Sequence, residues 1–205
     1  MYIREYERTA RHNELVGPSV VEVEQTCQAT LVAQVGAGYL VRAECGGSVH
    51  ERDDSGATSV GTVAPERVTY FVDDSTVTRV AGTDREVEPY RADDGGLNVA
   101  PPEGLAVVNA DDSRHDLRVE VSYDGEGPTE SVLDDAVAVA PGEGVDFHRL
   151  AAREGAYNLT VELENETAAT YRWQVGSNEG DRPGGVGVVV TPGGEVVVVR
   201  LPKME

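Results

Sequence analysis

From Pro18 to its end the chain alternates apolar and polar residues in Val- and Thr-rich runs of five to nine residues, broken by Gly, Pro and pairs of Asp. A period of two places successive side chains on opposite faces of a strand, and runs this short between turn residues leave no room for long helices. The chain is therefore expected to be all-β. Only the first residues depart from this pattern: Ile3, Tyr6 and Ala10 recur at spacings of three and four, which predicts a short N-terminal helix or an extended arm.

The clearest hairpin is "CQATLVAQVGAGYLVRAEC". Cys27, Ala29, Leu31, Ala33 and Val35 share one face, and beyond the glycine turn Tyr39, Val41, Ala43 and Cys45 repeat the same parity. A one-residue slip would turn every side chain to the other face, so the register must pair residues whose numbers sum to an even value. At a sum of 72, Cys27 stands opposite Cys45. A cross-strand disulfide is then available, and closing that loop stabilises the fold by about 3 kcal/mol in the chain-entropy model. Two buried thiols acting as small apolar groups are the other reading of the same pair.

Punctuation divides the chain into an N-terminal arm (1–17), a β domain (18–90), a linker rich in acid, glycine and proline (91–103) and a second β domain (104–205). Both domains are expected to be sandwich- or barrel-like. In the second, six strand candidates fall within about seventy residues, the spacing of a β-sandwich. Leu117, Val119, Val121 and Tyr123 should face inward, as should Tyr157, Leu159, Val161 and Leu163, and then Ala169, Tyr171, Trp173 and Val175. The closing stretch has no polar face: Val186, Val188, Val189 and Val190 precede a "TPGG" turn, and Val196, Val197, Val198 and Val199 follow it. Such a hairpin must be buried on both sides or meet a partner, so these four valines are the candidate interface.

Within this second domain "REGAYNLTVEL" resembles the Gly-x-Tyr-x-Leu-x-Val strand of immunoglobulin-like sandwiches, and the resemblance covers residues 104–175. It implies a tyrosine that ties back to an upstream corner. The two cysteines lie outside it, so the disulfide and tryptophan arrangement of antibody domains is absent, and the resemblance implies a fold class only.

The formal net charge is -20, and Lys203 is the only lysine among 17 basic residues. Acid in excess with arginine in place of lysine resembles the composition of proteins from extreme halophiles. The physics agrees, because at molar salt the Debye length is about 3 Å and repulsion among surface carboxylates is screened. No basic stripe is present, so no nucleic-acid partner is expected. No stretch reaches the roughly 18–20 apolar residues of a membrane span, and the start has no apolar signal core. The protein is thus expected to stay where it is made, to leave by lysis, or to have lost a signal earlier.

Candidate chemistry is sparse. Asp pairs recur at Asp53–Asp54, Asp73–Asp74, Asp93–Asp94, Asp111–Asp112 and Asp134–Asp135, without the D-x-D-x-D-G spacing of a calcium loop. Aspartate favours turns in its own right by capping nearby amides, so these pairs, with the turn "NADDSRH" among them, are expected to be solvated turns. His12, His50, His115 and His148 do not form a metal-ligand spacing, and His115 reads as a strand-entry residue. No nucleophile elbow, Cys–His pair or phosphate-cradling loop is present. Sugar-cleaving carboxylate pairs usually sit among aromatics, and this chain has two Phe and one Trp. No enzyme activity, metal or cofactor is expected. Asn158 ("NLT") and Asn165 ("NET") are glycosylation sequons.

These features predict a non-enzymatic structural subunit of an extracellular or virion assembly of a halophile, partnered by other protein subunits in an oligomer or larger array. Capsid, turret and decoration proteins of halophilic viruses are the fold-level analogy. The alternative is a cell-envelope binding or adhesion module, glycosylated and holding calcium in its Asp turns; a cytoplasmic accessory protein is a third reading.

Overall fold

The computed structural model describes residues 2–87, 103–125, 127–151, 153–164, 166–176 and 185–202. One helix, α1 (Tyr2–Leu15), is followed by twelve strands. Contacts divide the chain into one unit of residues 1–32 and 39–79 and a second of 33–38 and 80–205.

The first unit holds α1, all but the last residues of β1 (Val20–Val35), all but the first of β2 (Gly38–Arg52) and β3 (Thr58–Val72), with β1, β2 and β3 adjacent in that order. The helix ends just ahead of Gly17 and Pro18, where a proline cannot continue it. Its inward stripe is Ile3 and Glu7, with Ala10 half-buried. Tyr6 is exposed instead, because Glu7 finds polar partners inside and takes the inward position. Ile3 packs on Ala43, Val68 and Tyr70 of β2 and β3.

β2 and β3 pair from Tyr39↔Val72 to Arg52↔Thr58, with one register shift beside Cys45 and Gly47. Pro65 lies in β3 at that shift. A proline has no amide hydrogen to give to the ladder, so the irregularity falls where it is cheapest. Gly47 is fixed here for another reason: an added Cβ would lie 1.9 Å from the Glu24 carbonyl oxygen. Leu31 and Tyr39, which share the parity of Cys27 and Cys45 and would point inward with them, are both exposed. The first unit's apolar cluster lies over β2 and β3, and β1 is the last strand in its sheet order.

The second unit is a sandwich. One sheet places β4 (Val77–Glu86), β8 (Glu143–Ala151), β5 (Glu103–Asn109), β11 (Gly185–Val190) and β12 (Val196–Leu201) side by side. The other has the order β10 (Glu166–Val175), β9 (Gly155–Leu163), β6 (His115–Asp124), β7 (Glu130–Val139). Their facing sides form one core, with Leu105, Val107, Val145, Phe147, Val186, Val188 and Val190 from the first sheet. The second sheet contributes the rows of Leu117, Leu159 and Trp173, the faces expected to turn inward, with Tyr123, Leu163, Ala169 and Tyr171 packed against them in part.

The sequence places a boundary at 91–103, whereas the contact units divide at Val80. Residues 88–102 lie outside those described, so the linker is not part of this comparison. The difference comes from β4, whose second half pairs in parallel with β8 from Ala81↔Glu143 to Glu86↔His148. No helix among the described residues is long and apolar enough to cross a membrane.

Candidate functional site

The turn between β5 and β6 brings together the most deeply placed polar groups of the second unit. Asn109 is fully buried; its amide nitrogen donates to the carbonyls of Ser113 at 2.7 Å and Val139 at 3.1 Å, and its Oδ1 accepts the Asp111 amide at 2.9 Å. Asp111 Oδ2 lies 2.7 Å from His115 Nε2, both side chains being about nine-tenths buried. The expectation of a wholly solvated turn is therefore corrected for its first half. Buried polar groups need partners, and the Asn109 side chain supplies them to a backbone that the sandwich rim cannot leave in water. Asp112 stays outside and takes only the Ser113 hydroxyl, at 3.1 Å. His115 begins β6, as its strand-entry reading anticipates. Among the described residues no group of three or more Asp, Glu, His or Cys comes together as a metal would require. His115 and Asp111 thus form a closure of the turn, with Nδ1 of the ring left without a hydrogen-bond partner.

The other histidines are scattered. His148 Nε2 is 3.0 Å from Asp84, and His50 Nδ1 is 4.0 Å from Glu22. His12 is exposed on α1.

Two of the Asp pairs close turns with their first member. Asp53 Oδ1 accepts the amides of Ser55 and Ala57, both at 2.9 Å, and the Ser55 hydroxyl. Asp73 Oδ1 does the same for Ser75 and Thr76, at 2.8 and 2.6 Å. In the pair on β7 both members meet arginine: Arg118 grips both oxygens of Asp134 at 3.0 Å, and Arg85 reaches Asp135. Asp93–Asp94 lies outside the described residues.

These contacts favour the ionised carboxylates. The Ser55 hydroxyl holds Asp53 below its ordinary range, the Ser75 amide does so for Asp73, and Arg118 does so for Asp134. A folded pKa below the unfolded one adds stability above the unfolded value, near 4, and that stability is lost as pH falls through the folded value. A D53N/D73N double variant should lose less stability between pH 6 and pH 3 than the parent chain, as read from denaturation midpoints. Equal losses would show that the two turns do not couple to protonation.

Cys27 and Cys45 are bonded in the structure, with Cα atoms 4.2 Å apart. Ser48 reaches Glu24 and His50 faces Glu22 between the same two strands, and both pairs share the cysteines' index sum of 72. Asn158 is half-buried in β9, opposite Arg172 on one side and Ser122 on the other. Asn165 lies outside the described residues.

The corner anticipated at Tyr157 has a definite geometry. Its hydroxyl donates to the Arg153 carbonyl and accepts the Arg153 amide, both at 3.1 Å. Its ring stacks on Trp173 at 5.3 Å between centroids. Arg153 lies over the Tyr123 ring at 4.1 Å and pairs with Glu130, so one arginine ties β7 to the start of β9.

The four valines of β12 are all half-buried. Val196 and Val198 stand opposite Val190 and Val188 and pack on the sandwich core. Val197 and Val199 belong to the other face, opposite Val189 and Gly187. β11 is buried along its whole length, with β5 beside it in parallel and β12 antiparallel, and Val186, Val188 and Val190 in the sandwich core. β12 closes the order of its sheet.

Residues of this kind hold a β-sandwich together, and none of the arrangements described aligns a nucleophile with a base. Sequence reasoning missed Glu7 and Asn109, since a lone carboxylate and a lone amide carry no signal of burial. Comparison with known families gives a match between residues 113–203 and the Halobacterial Ig-like domain. No curated protein and no solved structure matches the chain. The matched segment runs from β6 through β12, beyond the 104–175 of the sequence resemblance, because the valine hairpin belongs to the same sandwich. A domain of this type points to a non-enzymatic extracellular or surface module. The chain is thus a halophile-type β-protein whose C-terminal segment, residues 113–203, is immunoglobulin-like.

Proposed function

We propose that the protein is a structural subunit of an extracellular assembly of a halophile, of virion or cell-surface type, held to its neighbours by sheet edges rather than by a ligand site. The observation that carries this reading is β12: a terminal strand of its sheet, free of charge from Val196 to Val199 and half-exposed in a chain of net charge -20. Natural edge strands are usually short or guarded by charge, lysine or proline, and an unguarded one invites pairing.

The two faces of β12 separate assembly from folding. V196T/V198T should lower the stability of the monomer, because those side chains meet the core. V197T/V199T should leave a cooperative melt and reduce incorporation into native particles or envelope. If V197T/V199T changes only stability, the hairpin is core and this interface is lost from the reading. A glycosylated adhesion module is the second reading, supported by the partial exposure of Asn158 in its sequon. Intact mass of native material with added hexose would favour it, and an unmodified chain would favour the assembly subunit.

A further inference from the structure

We propose that β1 is a self-recognition edge, on which a second copy of the chain adds its own β1 antiparallel about a two-fold axis. The inference deepens the assembly reading by naming the partner, and it rests on a strand at the opposite end of the sheet order from β12.

β1 is 16 residues long, against a typical strand of about 5–6, and it closes the order of its sheet among the described residues. Its second part, Gln25–Val35, contains no charged residue in a chain where 26% of residues are charged. It also lacks proline. Charge and proline, two common devices that blunt an edge, are therefore missing from this stretch. The side chains are open as well: Gln28, Ala29, Thr30 and Leu31 are all exposed, Leu31 at 59%. The Cα separation of 4.2 Å at Cys27–Cys45 is that of a non-hydrogen-bonded antiparallel pair, so the amide and carbonyl of Cys27 point away from β2. The outer edge of β1 thus presents backbone groups as well as apolar side chains.

The charges choose the occupant and its direction. Glu22 and Glu24, the only ionisable side chains on β1 apart from the bonded cysteine, both lie in its first part. Parallel addition in register would set Glu22 against Glu22 and Glu24 against Glu24, and like charges directly opposed destabilise a pair. Antiparallel addition about a centre near Gln28 sets both acids against the neutral half of the other strand. That arrangement is isologous and closes as a dimer. About that centre Ala29, Thr30 and Leu31 stand opposite Cys27, Thr26 and Gln25 of the copy, and Glu24 and Glu22 opposite Val32 and Gln34, so no like charges are opposed.

The test is sedimentation equilibrium of the full chain in multi-molar KCl. Wild type is expected to dimerise, and L31E and T30K, on the two faces of β1, are each expected to weaken the dimer at least tenfold while the cooperative melt is kept. V60K, at an equally exposed valine of β3 that is not a terminal strand, should leave the dimer intact. A wild-type chain still monomeric at about 0.1 mM overturns the proposal. So does a dimer unchanged in both β1 variants, or one that V60K disrupts as strongly as L31E, which would indicate stacking of sheet faces. A monomeric wild type whose L31E variant is excluded from particles would identify β1 as the edge for a different protein, removing self-pairing and leaving the assembly reading in place. Loss of incorporation in V197T/V199T with an intact β1 dimer would locate the further contact on β12.

Discussion

Replacing Glu7 by alanine is expected to destabilise the first unit by about 3 kcal/mol or more, since removing one member of a buried charged group strands the others. Glu7 is 1% exposed on the inward face of α1. It accepts the Tyr70 hydroxyl, and its two oxygens each lie 3.4 Å from a guanidinium nitrogen of Arg79. Tyr70 is fully buried, and burial first, with the Glu7 carboxylate second, pushes its hydroxyl well above the ordinary tyrosine range. Without Glu7 that hydroxyl keeps its desolvation cost and loses its acceptor, and the arginine is left with Glu14 at 3.9 Å. Arg79 keeps a third of its side chain in water, which places the effect at the lower end of the range for buried pairs. E7Q should cost less, because the amide oxygen still accepts from Tyr70. Two measurements check this: the denaturation midpoint at high salt, and tryptic cleavage at Arg8, which should accelerate as α1 detaches. A midpoint within about 0.5 kcal/mol of wild type would show that the helix is held by Ile3 and its apolar contacts alone.

Trp173→Ala should be of similar size in the second unit, about 3–5 kcal/mol, as for other buried aromatics cut to alanine. The indole is 4% exposed and stacks on Tyr157, whose hydroxyl closes the Arg153 corner, while Tyr123 packs on Tyr157 at 5.1 Å. Removing it opens a cavity beside the Tyr157 ring and leaves the Tyr157–Tyr123 pair without its third member. The buried indole nitrogen has no hydrogen-bond partner, so W173F gives up volume but no hydrogen bond and should cost much less than W173A. Tyr157→Phe should cost about 1–3 kcal/mol, since the hydroxyl both donates to the Arg153 carbonyl and accepts the Arg153 amide. Far-UV circular dichroism is the readout, since Trp173 is the only tryptophan. Equal losses in W173F and W173A would show that the ring volume kept by phenylalanine does not stabilise this site.

The strands of the second unit were legible because each row repeats with period two. Leu117, Val119 and Val121 alternate with Asp116, Arg118 and Glu120, so one face has to turn from water. The tyrosine at 157 was legible for the same reason, with its glycine two residues before it. In the first unit the same rule failed at Leu31 and Tyr39. Alternation says which side chains share a face, but not whether anything lies above that face. Glu7 was not legible, because its inward position depends on Tyr70 and Arg79, more than sixty residues away. The turn at Asp111 was half legible: aspartate announces a turn, but the burial of its carboxylate depends on Asn109 and on the Val139 carbonyl across the sandwich.

The sequence by itself determined the all-β class, the immunoglobulin-like character of the C-terminal segment, the parity of its core strands and the acidic, lysine-poor surface. All of these are local, since strand period, turn chemistry and composition act within a few residues. Only the tertiary structure decided that β5 lies between β8 and β11, parallel to β11, and that β4 joins β8 in parallel. It also decided that β11 is buried on both faces while β12, last in the sheet order among the described residues, is half-buried along its valines. The physical reason is that a strand's own pattern fixes which face is apolar, whereas its neighbours are chosen by backbone pairing and side-chain packing with segments distant in the chain, where every Val-rich strand offers nearly the same hydrogen bonds.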